Sequence, residues 1–174
     1  PLYTGFNPAT STMQFAEMKP WIARFNINYH LGIDGISLWF ILLNSFTTVL
    51  VIIAAWEVIE QKVAQYLAAF LIMSGLINGT FAALDAMLFY VFFEAMLIPM
   101  FLIIGVWGGP NRVYAAVKFF LYTLLGSLLM LAAFIYLYFQ AGETFEILVY
   151  HILPLTLSTQ VFVFIAFFMS FAVK

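Results

Sequence analysis

A single carboxylate, Glu94, lies within a long apolar stretch of this 174-residue sequence. A helix that starts at Ala86 and rises 1.5 Å per residue would carry Glu94 roughly 12 Å into a bilayer. A charge at that depth costs on the order of 3 kcal/mol, so the position needs a reason. Low dielectric favours the neutral form of a lone Glu and a nearby cation favours its ionised form, so such a group can exchange a proton. The alternative is a protonated Glu that packs and hydrogen-bonds as a structural residue.

Two further residues bear on Glu94. Pro99 removes the hydrogen bond that the carbonyl of Ala95 would accept, which predicts a kink beside Glu94 that could admit water. A proline that is merely tolerated in a membrane helix is the alternative. Lys174, the fifteenth residue counted from Gln160, would lie roughly 20 Å along a last helix. It either reaches the membrane interior or snorkels to the far interface.

Two other sets of polar residues lie within apolar stretches. Tyr114, Lys118 and Tyr122 are spaced by four and share one helical face, which predicts a polar stripe for proton entry or relay. Snorkelling of Lys118 is the alternative. Asn44 and Asn78 are explained either by hydrogen bonds between packed helices or by a water path.

The composition of the chain indicates that these residues belong to a membrane protein. The chain is 66% hydrophobic and 8% charged, whereas ordinary soluble domains carry about 25% charged residues. A bilayer accepts that apolar excess and a soluble surface does not. The net charge of −2 and the lack of a basic run give no indication of nucleic-acid binding. The absence of cysteine excludes disulfides, thiolate zinc sites and cysteine-ligated iron–sulfur clusters from this chain.

A span needs about 20 mostly apolar residues, which predicts an all-α, polytopic bundle. Asp34 and Asp85 are placed to cap the first and third helices. We expect residues 1–35, before the first span, to form an extramembrane segment with a short surface helix at most. The chain begins without Met and stops in an apolar run, so we expect a fragment of a longer protein. The predicted segment comprises residues 1–35, and the predicted spans are 36–56, 63–84, 86–107, 113–139 and a truncated 160–174.

Charges near the helix ends predict the orientation in the membrane. One side carries Lys62 and Arg112, with Lys118 at shallow depth, and the other carries mainly acidic loop residues. Positively charged loops favour the cytoplasmic side, so we expect the Lys62 side to face the cytoplasm.

Several strings of residues carry a resemblance to a known family. Together, in this order, they closely resemble the antiporter-like M subunits of respiratory complex I, the proton-pumping NADH:quinone oxidoreductase. The mitochondrial counterpart is subunit 4. The resemblance covers nearly the whole chain and is weaker against the sister antiporter-like subunits and the multisubunit sodium/proton antiporters. The strings are residues 29–38 (YHLGIDGISL), 92–100 (FFEAMLIPM), 118–123 (KFFLYT) and 171–174 (FAVK).

The resemblance implies a larger fold of about fourteen helices with two inverted five-helix repeats, of which this chain would hold the third to seventh helices. It implies that Glu94 and Lys174 form the family's buried carboxylate–lysine pair. No cofactor is implied in this chain, and NADH, FMN, iron–sulfur clusters and quinone would be bound elsewhere in the complex. The partners would be the other membrane-arm subunits and lipid.

The function implied is proton translocation driven by remote electron transfer. Location would be the bacterial inner membrane or, alternatively, the mitochondrial inner membrane. Two rival functions are a subunit of a multisubunit cation/proton antiporter and a structural membrane spacer.

Overall fold

The computed structural model describes residues 2–174, with side chains described from residue 4 onward. Most of the chain is helical, and the prediction of an all-α membrane bundle is confirmed. Four helical stretches are long and apolar enough to cross a membrane by length and composition, with α4 and α5 counted as one stretch. The elements are α1 (Leu2–Gly5), β1 (Gln14–Ile22), β2 (Ile27–Ile33), α2 (Gly35–Ala55), α3 (Val63–Ala82), α4 (Ala86–Ala95), α5 (Leu97–Trp107), α6 (Arg112–Gln140), α7 (Ile147–Tyr150) and α8 (Leu157–Val173).

The N-terminal segment contains an antiparallel β-hairpin that the sequence analysis did not predict. Strands β1 and β2 pair with His30 opposite Met18, and Asn26 turns the chain in the left-handed region with φ 50°. Strand β2, rich in β-branched and aromatic residues, suits a pleated and half-buried surface. Ile27 and Ile33 anchor it in the core. Pro1, which belongs to the predicted segment, lies outside the described residues.

Two aspartates begin helices, as predicted. Asp34 Oδ1 accepts the backbone N–H groups of Ile36 at 3.1 Å and Ser37 at 2.7 Å, while Ser37 Oγ accepts the N–H of Asp34. The hydrogen bond from the Ser37 backbone holds the pKa of Asp34 below its ordinary value. Asp85 caps α4 in the same way, by accepting the N–H groups of Met87 and Leu88. These side chains satisfy donors that no helical carbonyl can reach.

Helix α6 is the centre of the bundle and packs against α4, α5 and α8, while α3 packs against α2, α4 and α5. The buried core lies between α4 and α6 and includes Phe93, Met130 and Phe134. Large apolar side chains cover the outer faces, for example Trp39 and Phe46 of α2. That surface suits lipid, since soluble monomers rarely expose such wide apolar patches.

Candidate functional site

Glu94 lies in the last turn of α4, and its side chain is 17% exposed. Its Oε1 atom is buried and accepts no hydrogen bond from any residue that the structure describes. An unbonded buried carboxylate oxygen is unfavourable unless a cation or water is close. Glu94 is therefore a carboxylate with spare capacity to bind a proton or a cationic partner.

The helix is interrupted directly after this turn. Helix α4 ends at Ala95, Met96 forms a turn, and α5 begins at Leu97. Pro99 is buried in the first turn of α5 and has no N–H to donate to the carbonyl of Ala95. The residue predicted to kink this helix thus lies four residues after the carbonyl that it leaves unbonded, next to Glu94.

Lys174 follows the last residue of α8 and points towards α4. Its Nζ atom lies 3.7 Å from Glu94 Oε1 and donates a hydrogen bond to the backbone carbonyl of Phe93. The same atom lies 3.5 Å from the centroid of the Phe93 ring. The Lys174 side chain is 13% exposed. The structure therefore brings together Glu94 and Lys174, 80 residues apart in sequence, in an ion pair shielded from solvent.

A glycine allows α8 to come this close. A Cβ atom at Gly126 would lie 2.9 Å from the Cβ of Val173, which precedes Lys174. Contacts under 3.0 Å are not sustained by real side chains, so any larger residue would push α8 outward. Gly126 thus sets the spacing between α6 and α8 beside the ion pair.

Two buried hydroxyl groups lie on α6, the helix that packs against α4 and α8. Ser127 and Thr123 of α6 donate to carbonyls of their own helix, those of Leu124 and Phe119. Tyr90, one turn before Glu94, interacts with Ser127 and with the charge of Glu94. These groups make the interior next to Glu94 locally polar.

Lys118 and its two tyrosines lie elsewhere, on the outer face of α6. Tyr114 is 70% exposed and Tyr122 is 62% exposed, and Lys118 Nζ lies 5.7 Å from the Tyr114 ring centroid. No hydrogen bond or ion pair within residues 2–174 connects Lys118 to Glu94 or Lys174. The predicted stripe therefore faces away from the ion pair.

Asn44 and Asn78 form part of a network between α2 and α3. Asn44 Nδ2 donates to Asn78 Oδ1 at 2.8 Å and to Ser74 Oγ at 3.2 Å, and Thr48 Oγ1 donates to the same serine at 2.9 Å. These bonds join two neighbouring helices. The geometry fits interhelical packing without any need for water.

A second group of ionisable residues lies at the end of the bundle that carries the hairpin. His30 Nδ1 and Glu146 Oε2 are 2.8 Å apart, and the fully buried Asp85 accepts the N–H of Asn28 at 2.9 Å. Burial, and next the charge of Asp85, raises the pKa of the Tyr150 phenol. The phenol accordingly stays a neutral donor to the Thr144 carbonyl. This group links the hairpin to the connection before α4, through Asp85, and to the connection between α6 and α7, through Glu146.

Sequence reasoning missed Phe93 and the pairing of His30 with Glu146. Phe93 is one of 21 phenylalanines, and nothing but its position beside Glu94 sets it apart. His30 and Glu146 lie in separate extramembrane segments, so no spacing rule connects them. Within the described part of the chain, no group of three or more His, Asp or Glu residues could hold a metal ion.

Comparison with known proteins identifies a family. The family model described as NADH:quinone oxidoreductase/Mrp antiporter, transmembrane, matches residues 82–174. The model described as NADH-ubiquinone oxidoreductase chain 4, amino terminus, matches residues 2–82. The chain is 50% identical to NADH-quinone oxidoreductase subunit M of Rhodobacter capsulatus, covering 99% of this chain and 36% of that protein. It is 47% identical to NADH-ubiquinone oxidoreductase chain 4 of Chondrus crispus, covering 99% and 35%.

A solved structure has the same fold. A chain of respiratory complex I from Thermus thermophilus with bound NADH superimposes with a TM-score of 0.81 and 36% identity, over 91% of this chain and 33% of that one. This chain thus spans about a third of the length of the relatives that it matches. The matching model over residues 82–174 covers more than half of the sequence and contains both Glu94 and Lys174. The chain therefore belongs to the NADH:quinone oxidoreductase/Mrp antiporter transmembrane family.

Proposed function

We propose that the chain is part of a proton-translocating membrane subunit of respiratory NADH:quinone oxidoreductase. The observation that carries this proposal is the shielded ion pair of Lys174 and Glu94 beside an interrupted helix. The relatives named as subunit M or chain 4 of this oxidoreductase support it. The complex would be the enzyme, with NADH, FMN, iron–sulfur clusters and quinone held by its other parts.

The pair moves protons by alternating between a closed arrangement, with Lys174 against Glu94, and an open one. When Lys174 lies against Glu94, each charge stabilises the other, so Glu94 stays ionised and Lys174 stays protonated. When the pair opens, each group is left without a partner in a low dielectric, and its neutral form becomes more stable relative to its charged form. Glu94 then takes up a proton and Lys174 gives one up. A change in a neighbouring subunit, driven by remote electron transfer, opens and closes the pair.

Location and partners follow from the same proposal. The relatives include bacterial and mitochondrial proteins, so the chain would lie in a multi-pass subunit of a bacterial or mitochondrial inner membrane. Sister antiporter-like subunits and other membrane-arm subunits would be its neighbours. Lys118, with Tyr114 and Tyr122, is a candidate relay whose partners must come from outside the described residues, since the stripe faces outward.

The first test is Glu94→Gln in the full-length subunit within the complete complex. We expect NADH-driven proton pumping in membrane vesicles, and quinone reduction with it, to fall at least about tenfold, because the amide cannot ionise. NADH oxidation with an artificial acceptor should stay normal. Glu60→Gln, which changes an exposed carboxylate between α2 and α3, is the matched control.

The outcomes separate the rival functions. Normal pumping by Glu94→Gln would mean that the carboxylate is structural and would leave the chain as a membrane spacer. Sodium movement coupled to protons without NADH oxidation would favour the cation/proton antiporter. The same assay on Lys118→Met decides whether the outward stripe relays protons, since unchanged pumping would leave Lys118 as a snorkelling residue.

A further inference from the structure

Phe93 lies directly under the ammonium group of Lys174. The distance from Nζ to the ring centroid is 3.5 Å, well inside the range of about 6 Å over which a cation is attracted to an aromatic face. Both partners are shielded, with Phe93 7% exposed and the Lys174 side chain 13% exposed. The attraction gains strength where water is excluded. This contact is therefore one of the main stabilising contacts of the buried cation.

Two other rings keep Phe93 in this orientation. Phe89, one turn earlier on α4, stacks on it with a centroid distance of 5.6 Å and an interplanar angle of 18°. Phe171 of α8 meets it edge-on at 5.7 Å and 82°. Phe171 belongs to the helix that ends beside Lys174. The ring is thus fixed from both helices that carry the ion pair.

The backbone of Phe93 also contacts the lysine. Lys174 Nζ donates a hydrogen bond to the Phe93 carbonyl, whereas its 3.7 Å distance to Glu94 Oε1 is too long for one. Glu94 Oε1 accepts no hydrogen bond from the described residues. The ammonium is therefore held by the ring and carbonyl of Phe93 in addition to the charge of the carboxylate 3.7 Å away.

We propose that Phe93 is a positioning residue for proton translocation, which holds the protonated Lys174 beside Glu94 by contacts that are independent of the carboxylate charge. An aromatic face and a carbonyl attract a cation but take up no proton at neutral pH. Lys174 is thus drawn back to this place once it is protonated again, even while Glu94 is neutral, and the pair can form again. This inference rests on the proposed function and names a further residue of the same site.

The test replaces Phe93 with its mono-, di- and trifluoro analogues in the full-length subunit of the complete bacterial complex. Fluorine withdraws charge from the ring face and changes its size little. We expect quinone reduction and coupled proton pumping to fall step by step with each fluorine, by about tenfold in total, which corresponds to about 1.4 kcal/mol. Rates are divided by the amount of assembled complex, so a loss of assembly does not imitate the effect.

Phe92 is the matched control. It is the neighbouring phenylalanine on the same helix, and its ring faces Gly79 of α3 and not the lysine. Fluorination at Phe92 should leave the rates unchanged. Phe93→Leu, which removes the ring, should lower them at least as far as the trifluoro analogue does.

Equal rates across the Phe93 series would overturn this inference, and so would an equal decline in the Phe92 series. Glu94→Gln, measured in parallel, separates the two proposals. A defective Glu94→Gln with a flat Phe93 series removes only the role of Phe93. Normal pumping by Glu94→Gln removes the proposed function itself.

Discussion

Glu94 and Lys174 each lower the free-energy cost of burying the other's charge in the interior of the membrane. Neither charge could be buried alone without a large desolvation cost, and an ion pair offsets that cost only where the geometry is good. At 3.7 Å the pair is close but without a hydrogen bond between its two groups. A tighter salt bridge would be harder to open, so this spacing suits the opening and closing of the pair that we propose.

A double-mutant cycle tests whether the two residues act as one unit. We expect Lys174→Met to reduce NADH-driven pumping about as much as Glu94→Gln, since either change leaves the other group without its partner. The double mutant should then be no worse than either single mutant, because coupled residues are not additive. The measurement is proton pumping in vesicles, with each protein in the assembled complex. Independent losses that multiply in the double mutant would contradict a shared step.

Sequence alone identified part of this site. An isolated Glu in an apolar run is recognisable, because a carboxylate is costly at that depth and is seldom kept there without a function. The position of Lys174 left burial and snorkelling open, and only the family resemblance favoured pairing. Phe93 carries no signal of its own, because its role depends on the fold bringing α8 to α4. A single sequence carries no pattern from which contacts between helices far apart in the chain can be predicted.

The elements follow from simple rules, with two exceptions. Long apolar runs predicted a helical membrane bundle, and the two aspartate caps were found from their position before apolar runs. The hairpin was missed because strand β1 includes Lys19 and Pro20 and is mostly exposed, which obscures the alternation of a strand. The other exception is a break within the third predicted span, where α4 and α5 form one membrane-length stretch but meet at Met96, three residues before Pro99.

The cap of α2 gives a prediction on stability. We expect Asp34→Ala to lower the local stability of the first turn by about 1 kcal/mol, since the N–H groups of Ile36 and Ser37 lose their acceptor. Asp34→Asn should retain most of it. Hydrogen exchange of the peptide that spans residues 34–40, in the intact subunit, measures the difference. Equal protection in all three proteins would show that the cap contributes nothing.

The effect of pH on this cap has a definite sign. The pKa of Asp34 is lowered from its ordinary value of 3.8 by the Ser37 backbone hydrogen bond. A lowered pKa in the folded state adds stability that is present above 3.8 and is lost as the pH falls through the lower folded value. Protection relative to Asp34→Asn, corrected for intrinsic exchange, should therefore be constant near neutral pH, begin to fall as the pH approaches 3.8, and fall further below that value. Protection that does not change across this acidic range would mean that the pKa is not lowered.

At the scale of the whole molecule, the two ends of the bundle are fastened differently. At one end, Asp85 and Glu146 bond to Asn28 and His30, so the hairpin is tied to connections between helices. At the other end, Trp107 donates to the carbonyl of Gln61 and joins two short connections. Glu94 lies between these two ends, on the α4–α5 stretch that begins after Asp85 and ends at Trp107. The contacts at the two ends of the bundle hold the helices together, so the proposed opening of the ion pair need not separate them.

The orientation of the helix bundle in the membrane can be tested directly. Lys62 ends the connection before α3 and Arg112 begins α6, both at the Trp107 end, and positive charges at short connections favour the cytoplasm. The hairpin end should then face the opposite side. Because these 174 residues contain no cysteine, each single substitution adds the only thiol among them.

We expect His151→Cys to react with a membrane-impermeant maleimide in intact spheroplasts and Glu60→Cys to react only in inside-out vesicles. Both positions are exposed, so access is decided by the side of the membrane. Labelling after detergent solubilisation shows that each cysteine is reactive. The reverse pattern would place the hairpin in the cytoplasm, and the short basic connections would then fail to set the topology.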